Sequence, residues 1–205
     1  MNNLDVLFIS PSNSQIYQKL SSKYSAIEPP TWALLLAESC RSVGYTVGLI
    51  DLEAEPISEE ALWDKVSSIN PRLVCFVVYG QNVNAGTASM AGAVQSSTFL
   101  KSKGIKCPIS FVGSYPQALP KKCLEDEPSI DFVFTNEGVY ALWTVLSTPI
   151  IDDTFLGGCK GIAWRDGDTV VINDAESVVP QSRMDIDLPG YAWDLLPYDK
   201  KPLDL

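Results

Sequence analysis

Leu73-Val74-Cys75-Phe76-Val77-Val78-Tyr79 runs without a polar interruption. A strand built from it has no face to give to water. It must be covered on both sides, the condition of a central strand in a parallel sheet flanked by helices. Asn70-Pro71 stops a helix just before this run, and Gly80-Gln81-Asn82-Val83-Asn84-Ala85-Gly86 breaks the chain just after it.

The flanking sequence alternates in the same sense. Leu4 to Ile9 is a short apolar strand ending at Ser10-Pro11-Ser12-Asn13-Ser14, a cluster that forms loops and can present amides and hydroxyls. Pro29-Pro30-Thr31 leads into a helix from Trp32 that Gly44 closes, and Thr46 to Leu52 is the second strand. Ser58 followed by Glu59 and Glu60 supplies the cap and acidic first turn of a helix to about Ile69. A small-residue helix from about Thr87 to Ser102, a fourth strand over Pro108 to Val112, a short helix over Pro120 to Asp126, a fifth strand over Phe132 to Phe134 and a helix from Glu137 to Leu146 complete five β–α units. Right-handed crossovers turn such a series into an α/β, flavodoxin-like, doubly wound five-stranded parallel sheet, with expected order 2-1-3-4-5. Beyond it, Asp166-Gly167 between two short strands predicts a small C-terminal β-hairpin appendage. The expected division is 1–148 for the α/β domain, 149–178 for the hairpin and 179–205 for an extended tail that packs on something.

Composition narrows the function. A chain of 205 residues buries roughly 70% of its unfolded surface, enough for a core without disulfides. The five cysteines are dispersed, with no CxxC pair, and read as free buried thiols. Net charge of −10 with scattered Lys and Arg argues against nucleic acid. No apolar run approaches the ~20 residues that cross a bilayer, and the N-terminus lacks a basic region before its apolar stretch, so a cytoplasmic protein with no membrane contact is expected. There is no histidine, which removes the commonest general base and the commonest nitrogen ligand for metals.

In a doubly wound sheet the ligand lies beyond the carboxyl ends of the strands where the winding reverses, here between strands one and three. The candidate binding residues at that edge are Ser10, Pro11, Ser12 and Asn13; Tyr79, Gly80, Gln81 and Asn82; Gly113, Ser114 and Tyr115; and Asn136, Glu137 and Gly138. They offer hydrogen bonds and close backbone approach. The same residue types also serve every ordinary βα turn. GxGxxG, GxxxxGK[ST] and GxSxG are all absent, so dinucleotides, nucleoside triphosphates and serine hydrolysis are disfavoured. Glu137 fits either an acid–base carboxylate or a complement to a helix dipole, and Trp32, Trp63 and Trp143 read as helix-to-sheet packing. No catalytic residue and no metal ligand stands out.

Several segments, in order, resemble the N-terminal cobalamin-binding domain of B12-dependent radical S-adenosylmethionine (radical-SAM) proteins. They are Glu28-Pro29-Pro30-Thr31-Trp32, Asp51 to Glu55, Asn70-Pro71-Arg72-Leu73-Val74, Val112-Gly113-Ser114-Tyr115-Pro116, and Asp131 to Phe134 with Asn136-Glu137-Gly138. Gly161 to Gly167 resembles that family's exit hairpin, and Leu188-Pro189 with Ala192 to Pro197 its connector to the catalytic barrel. The resemblance implies cobalamin lying over the strand ends and a radical-SAM catalytic domain, in cis or in trans, as partner. The chain departs from the family in having no CxxxCxxC, so it holds no [4Fe–4S] cluster and is not catalytic alone. It also has no DxHxxG motif, which implies a base-off, histidine-off corrin. Gly113-Ser114-Tyr115 stands where relatives often have Gly-Gly-Pro, which leaves open a degenerate fold serving as an interaction or regulatory domain without corrin. A flavoprotein or independent enzyme is the third alternative.

Overall fold

A computed structural model describes residues 4–12, 28–79 and 83–197, with the backbone alone for 83–88. Strands β1 (Val6–Ser10), β2 (Val47–Asp51), β3 (Val74–Val78), β4 (Ile109–Gly113) and β5 (Phe132–Phe134) run parallel. β1 lies between β2 and β3, with Phe8 beside Leu49 on one side and Cys75 on the other. The helices are α1 (Thr31–Ser42), α2 (Glu59–Ile69), α3 (Val83–Ser102), α4 (Ser114–Ala118), α5 (Pro120–Asp126), α6 (Val139–Leu146), α7 (Asp153–Leu156) and α8 (Met184–Asp187).

Every residue of β3 is buried, as its uninterrupted apolar run requires. Alternate side chains feed two separate cores. Phe8, Cys75, Val77, Phe132 and Phe134 face α1 and α6, while Leu7, Ile9, Phe76, Phe111 and Val133 face α2, α3 and α5. Local chemistry sets the helix ends. Ser58 accepts the Ala61 amide at 3.2 Å to cap α2, and Asn70, left-handed at φ 50°, closes it. Ser114–Ala118 is helical where a loop is expected, because Pro116 sits within the first turn, whose amides have no intrahelical partner to lose.

The main correction concerns the hairpin. β6 (Ile162–Asp166) pairs antiparallel with β5, placing Trp164 beside Phe132, and β7 (Thr169–Ile172) pairs with β6. The sheet is therefore mixed and seven-stranded, ordered β2-β1-β3-β4-β5-β6-β7, rather than a five-stranded parallel sheet with an appendage. The physical reason is the edge of β5. A three-residue strand left open would expose its backbone groups, and β6 takes them up. Ile162 and Trp164 continue the α1–α6 core and Ala163 the opposite one, so both hydrophobic faces extend unbroken into the hairpin. Arg165 fastens it further by donating to the carbonyls of Leu124, Glu127 and Ile130.

Residues 179–197 cross the α1–α6 face. Ala192 and Leu196 are buried, Val179, Leu188 and Leu195 pack against the same core, and the Ala192 amide donates to the Leu34 carbonyl at 3.2 Å. An ion pair to Arg41 and a hydrogen bond from Tyr140 also hold the segment to the domain. Arg41 grips Asp194 through both carboxylate oxygens at 2.7 and 2.8 Å, and Asp187 receives Arg183 at 2.7 Å and the Tyr140 hydroxyl at 2.5 Å.

Arg183 and then Tyr140 hold the Asp187 carboxyl below its ordinary value of 3.8, and Arg41 does the same for Asp194. Folded-state values lowered in this way contribute stability that is complete above pH 3.8 and fades as pH falls through the lowered values. On acidification from about pH 6 to about pH 2.5, amide resonances of residues 183–195 should therefore shift before those of β3 and β4. Tail resonances that stay fixed until global unfolding would contradict this.

Candidate functional site

The winding of the helices locates the site. α1 and α6 cover one face of the sheet, while α2, α3 and α5 cover the other. The chain leaving β1 thus turns to one side and the chain leaving β3 to the opposite side, which opens a crevice beyond their carboxyl ends.

Ser10 ends β1 opposite Asp51 of β2, and its carbonyl accepts the Leu52 amide at 2.9 Å. Pro11 is buried. The Ser12 carbonyl lies against α3, where a Cβ on Gly92 would stand only 2.3 Å from it, so the β1 loop rests on a helix face that must be bare there. Asn13, Gly80, Gln81 and Asn82 lie outside the described residues. Asp51, 2% exposed, accepts the Glu53 and Ala54 amides through Oδ1 and so shapes the turn after β2.

Tyr79, Trp32 and Glu137 come together at the ends of β3, α1 and β5. The Trp32 and Tyr79 rings meet at 5.2 Å with a 58° tilt, and the Trp32 indole N–H donates to the Glu137 carbonyl at 3.2 Å. Burial, and secondarily the Glu137 carboxylate, push the Tyr79 hydroxyl up to about 12, so it remains a neutral phenol at physiological pH. Sequence reasoning favoured packing over a binding role for Trp32, though it lies in the Glu28-to-Trp32 segment that carries the resemblance. Its place in the first turn of α1, just after Pro29-Pro30-Thr31, was the available signal that it stands at the candidate site.

Gly113 is the last residue of β4, and a Cβ there would lie 2.4 Å from the Val78 carbonyl oxygen. Ser114 and Tyr115 are half-buried and open α4, and Tyr115 packs on the α2–α3 core. After β5, Asn136 Oδ1 accepts the Gly138 amide at 2.9 Å, and Asn136 Nδ2 donates to the Glu176 carbonyl at 3.2 Å. The Glu137 carboxylate accepts the Val179 amide at 2.6 Å. Gly138, at φ +88° and with Val112 Cγ2 only 3.0 Å from where a Cβ would stand, sets the entry into α6. Asn136 and Glu137 therefore spend polar atoms on the chain's own 176–179 segment, with the Glu137 backbone carbonyl holding Trp32.

The result is a rim with a neutral phenol, an indole, hydroxyls and closely approaching backbone. Among the described residues no three Cys, Asp or Glu side chains converge as a metal centre would require. The five cysteines are free, and burial raises all their thiols, Cys75 and Cys123 to about 12, which keeps them protonated at neutral pH. Among the described residues no helix is long and apolar enough to cross a membrane.

No protein-family profile matches the chain. It is 21% identical over 195 residues to the anaerobic magnesium-protoporphyrin IX monomethyl ester cyclase of Synechocystis, covering 95% of this chain and 36% of that protein. Its fold is similar to that of the radical S-adenosylmethionine methyltransferase TsrM from Kitasatospora setae, in a structure with cobalamin and a [4Fe-4S] cluster bound. The TM-score is 0.59 at 16% identity, over 86% of this chain and 30% of that one. It is similar also to the cobalamin-dependent S-adenosylmethionine radical enzyme OxsB, with TM-score 0.65 at 14% identity over 95% of this chain and 24% of that one. At these identities the likeness is one of fold, and the chain spans about a quarter to a third of the length of the proteins it matches.

Proposed function

We propose that this chain is a cobalamin-binding module that holds the corrin base-off and without a histidine ligand, is not catalytic alone, and serves a radical-SAM catalytic domain in cis or in trans. The observation that carries the reading is the crevice between β1 and β3. Its rim carries the neutral phenol of Tyr79 against the Trp32 ring, at strand ends that pack closely enough to require glycine at Gly113, in a fold similar to one solved with cobalamin bound. A broad, largely apolar macrocycle fringed with amides suits such a rim better than a phosphate or a charged substrate does.

The residues that would hold the corrin are Ser10, Pro11, Ser12 and Asn13, Tyr79 to Asn82, Gly113 to Tyr115, and Asn136 to Gly138. With no histidine in the sequence, this chain has no imidazole to offer the cobalt. When bound, the corrin would supply methyl-carrier or redox chemistry, while the chain's own residues position it and exclude water. Without a CxxxCxxC motif, cleavage of S-adenosylmethionine falls to the partner. The net charge of −10 agrees with a cytoplasmic module that binds neither nucleic acid nor an anionic membrane surface.

A second reading is supported by the internal use of Asn136 and Glu137, whose polar atoms hold residues 176 and 179. On that reading the fold persists as an interaction domain without corrin. Incubation with hydroxocobalamin followed by desalting separates the two. Retention of about one corrin per chain, read from its visible absorbance, is expected. A folded protein that retains none would leave the interaction domain as the better account.

A further inference from the structure

β3 and β5 are not neighbours in the sheet. β4 lies between them, so the loops that leave their carboxyl ends start two strand spacings, about 10 Å, apart. One side chain joins those loops. The Trp32 ring meets the ring of Tyr79, the residue directly after β3, with centroids 5.2 Å apart. Its indole N–H donates at 3.2 Å to the carbonyl of Glu137, in the loop after β5.

The start of α1 places Trp32 to do this. The Leu34 amide donates to the Pro30 carbonyl at 3.0 Å, the first bond of the helix, so a residue of fixed φ sets the turn from which the indole leaves. Trp32 and Tyr79 are both half-buried: they pack against the α1–α6 core and keep part of their surface open. Glu137 is held from a second side, where its carboxylate accepts the Val179 amide at 2.6 Å. Its backbone is thus pinned between α1 and the C-terminal segment, and Trp32 passes that restraint on to Tyr79.

The other tryptophans are placed differently. Trp63 packs on the α2–α3 core, Trp143 meets Tyr140 on α6, Trp164 donates to Asn173 in the hairpin, and Trp193 pairs with Tyr191. None of these contacts reaches Tyr79 or Glu137. A ligand that touches both loops needs them at one separation. Loops that fluctuated independently would have to be ordered on binding, which costs affinity, whereas a rim already tied presents its contacts in advance.

We propose that Trp32 is a positioning residue of the corrin site, setting through Tyr79 and the Glu137 carbonyl the separation of the two loops that the macrocycle spans. This rests on the cobalamin reading and adds to it a residue outside the strand-end loops.

The test measures hydroxocobalamin affinity by equilibrium dialysis for the unmodified chain, Trp32→Phe and Trp63→Phe, and follows the indole N–H resonances of the unmodified chain through the same titration. Phenylalanine keeps a ring against Tyr79 but has no N–H for Glu137. Trp32→Phe should bind about tenfold more weakly with its melting temperature little changed, and Trp63→Phe should bind like the unmodified chain. The Trp32 resonance, identified by its absence from Trp32→Phe, should move on binding while those of Trp63 and Trp164 stay in place. With corrin bound, an unmoved Trp32 resonance, undiminished affinity of Trp32→Phe, or equal weakening by Trp63→Phe would each overturn the role of Trp32 and leave the cobalamin reading standing. Should Trp32→Phe fail to fold, the resonance of the unmodified chain decides. Absence of corrin binding by the folded, unmodified chain would overturn the reading and the positioning role together.

Discussion

Trp164→Ala is expected to cost about 3–5 kcal/mol of folding stability, lost in a single cooperative transition. The side chain is 6% exposed, lies beside Phe132 in the register of β5 and β6, and packs in the α1–α6 core. Its indole N–H donates to Asn173 Oδ1 at 3.1 Å, while Asn173 Nδ2 donates to the Leu156 and Cys159 carbonyls at 2.7 and 2.6 Å. Truncation therefore opens a cavity at the joint of sheet, hairpin and α7, and removes one partner from the half-buried Asn173 amide. Urea unfolding followed by far-ultraviolet circular dichroism should show a lower midpoint with an unchanged slope. A hairpin that merely hung from the domain would behave differently, with a loss under about 1 kcal/mol or a separate early transition. Either result would contradict the seven-stranded sheet as one cooperative unit.

What could be read in the sequence was what burial and local capping determine. β3 was legible because a strand covered on both faces leaves no room for a polar residue, and α2 because Ser58 and Asn70 carry their own start and stop. The hairpin turn at Asp166-Gly167 was legible too, but a turn signal fixes only which two strands meet. That β6 would also seal β5 depends on Ile162, Ala163 and Trp164 matching both cores, a property of the assembled sheet. α4 escaped because five residues containing a proline carry no readable period. At the site, the loops were visible as turn chemistry, but the partners of their side chains were not. Trp32 meets Glu137 across 105 positions of sequence, and Asn136 meets Glu176 across 40. Glu59 read as a complement to a helix dipole, and only Ser96, contributed by α3, and the enclosure around Oε2 reveal it as a buried acceptor.

Gly113→Val should be the most damaging single substitution at the site, acting on the backbone of the neighbouring strand. A Cβ at Gly113 would stand 2.4 Å from the Val78 carbonyl oxygen and 2.6 Å from the carbonyl carbon, atoms of the fully buried central strand that cannot swing aside. Valine adds two methyl groups to that clash, so the Val78–Gly113 end of the β3–β4 ladder must separate, at a cost of about 1–3 kcal/mol by the usual scale of overpacking. Tyr79 follows Val78 directly and leans on Trp32, so the displacement passes to the rim. Corrin retention, if the proposed function holds, should fall by more than tenfold even where the variant remains folded. The matched control is Gly104→Ala. At φ +85°, with nothing within 4 Å of its Cβ, it should pay only the backbone cost of about 1 kcal/mol and retain corrin like the unmodified chain. Comparing melting curves and retained corrin for the two variants separates a general loss of stability from a local loss of site geometry. Equal retention by both would mean that the end of β4 does not touch the ligand, and would move the binding surface toward the Ser12 side of the crevice.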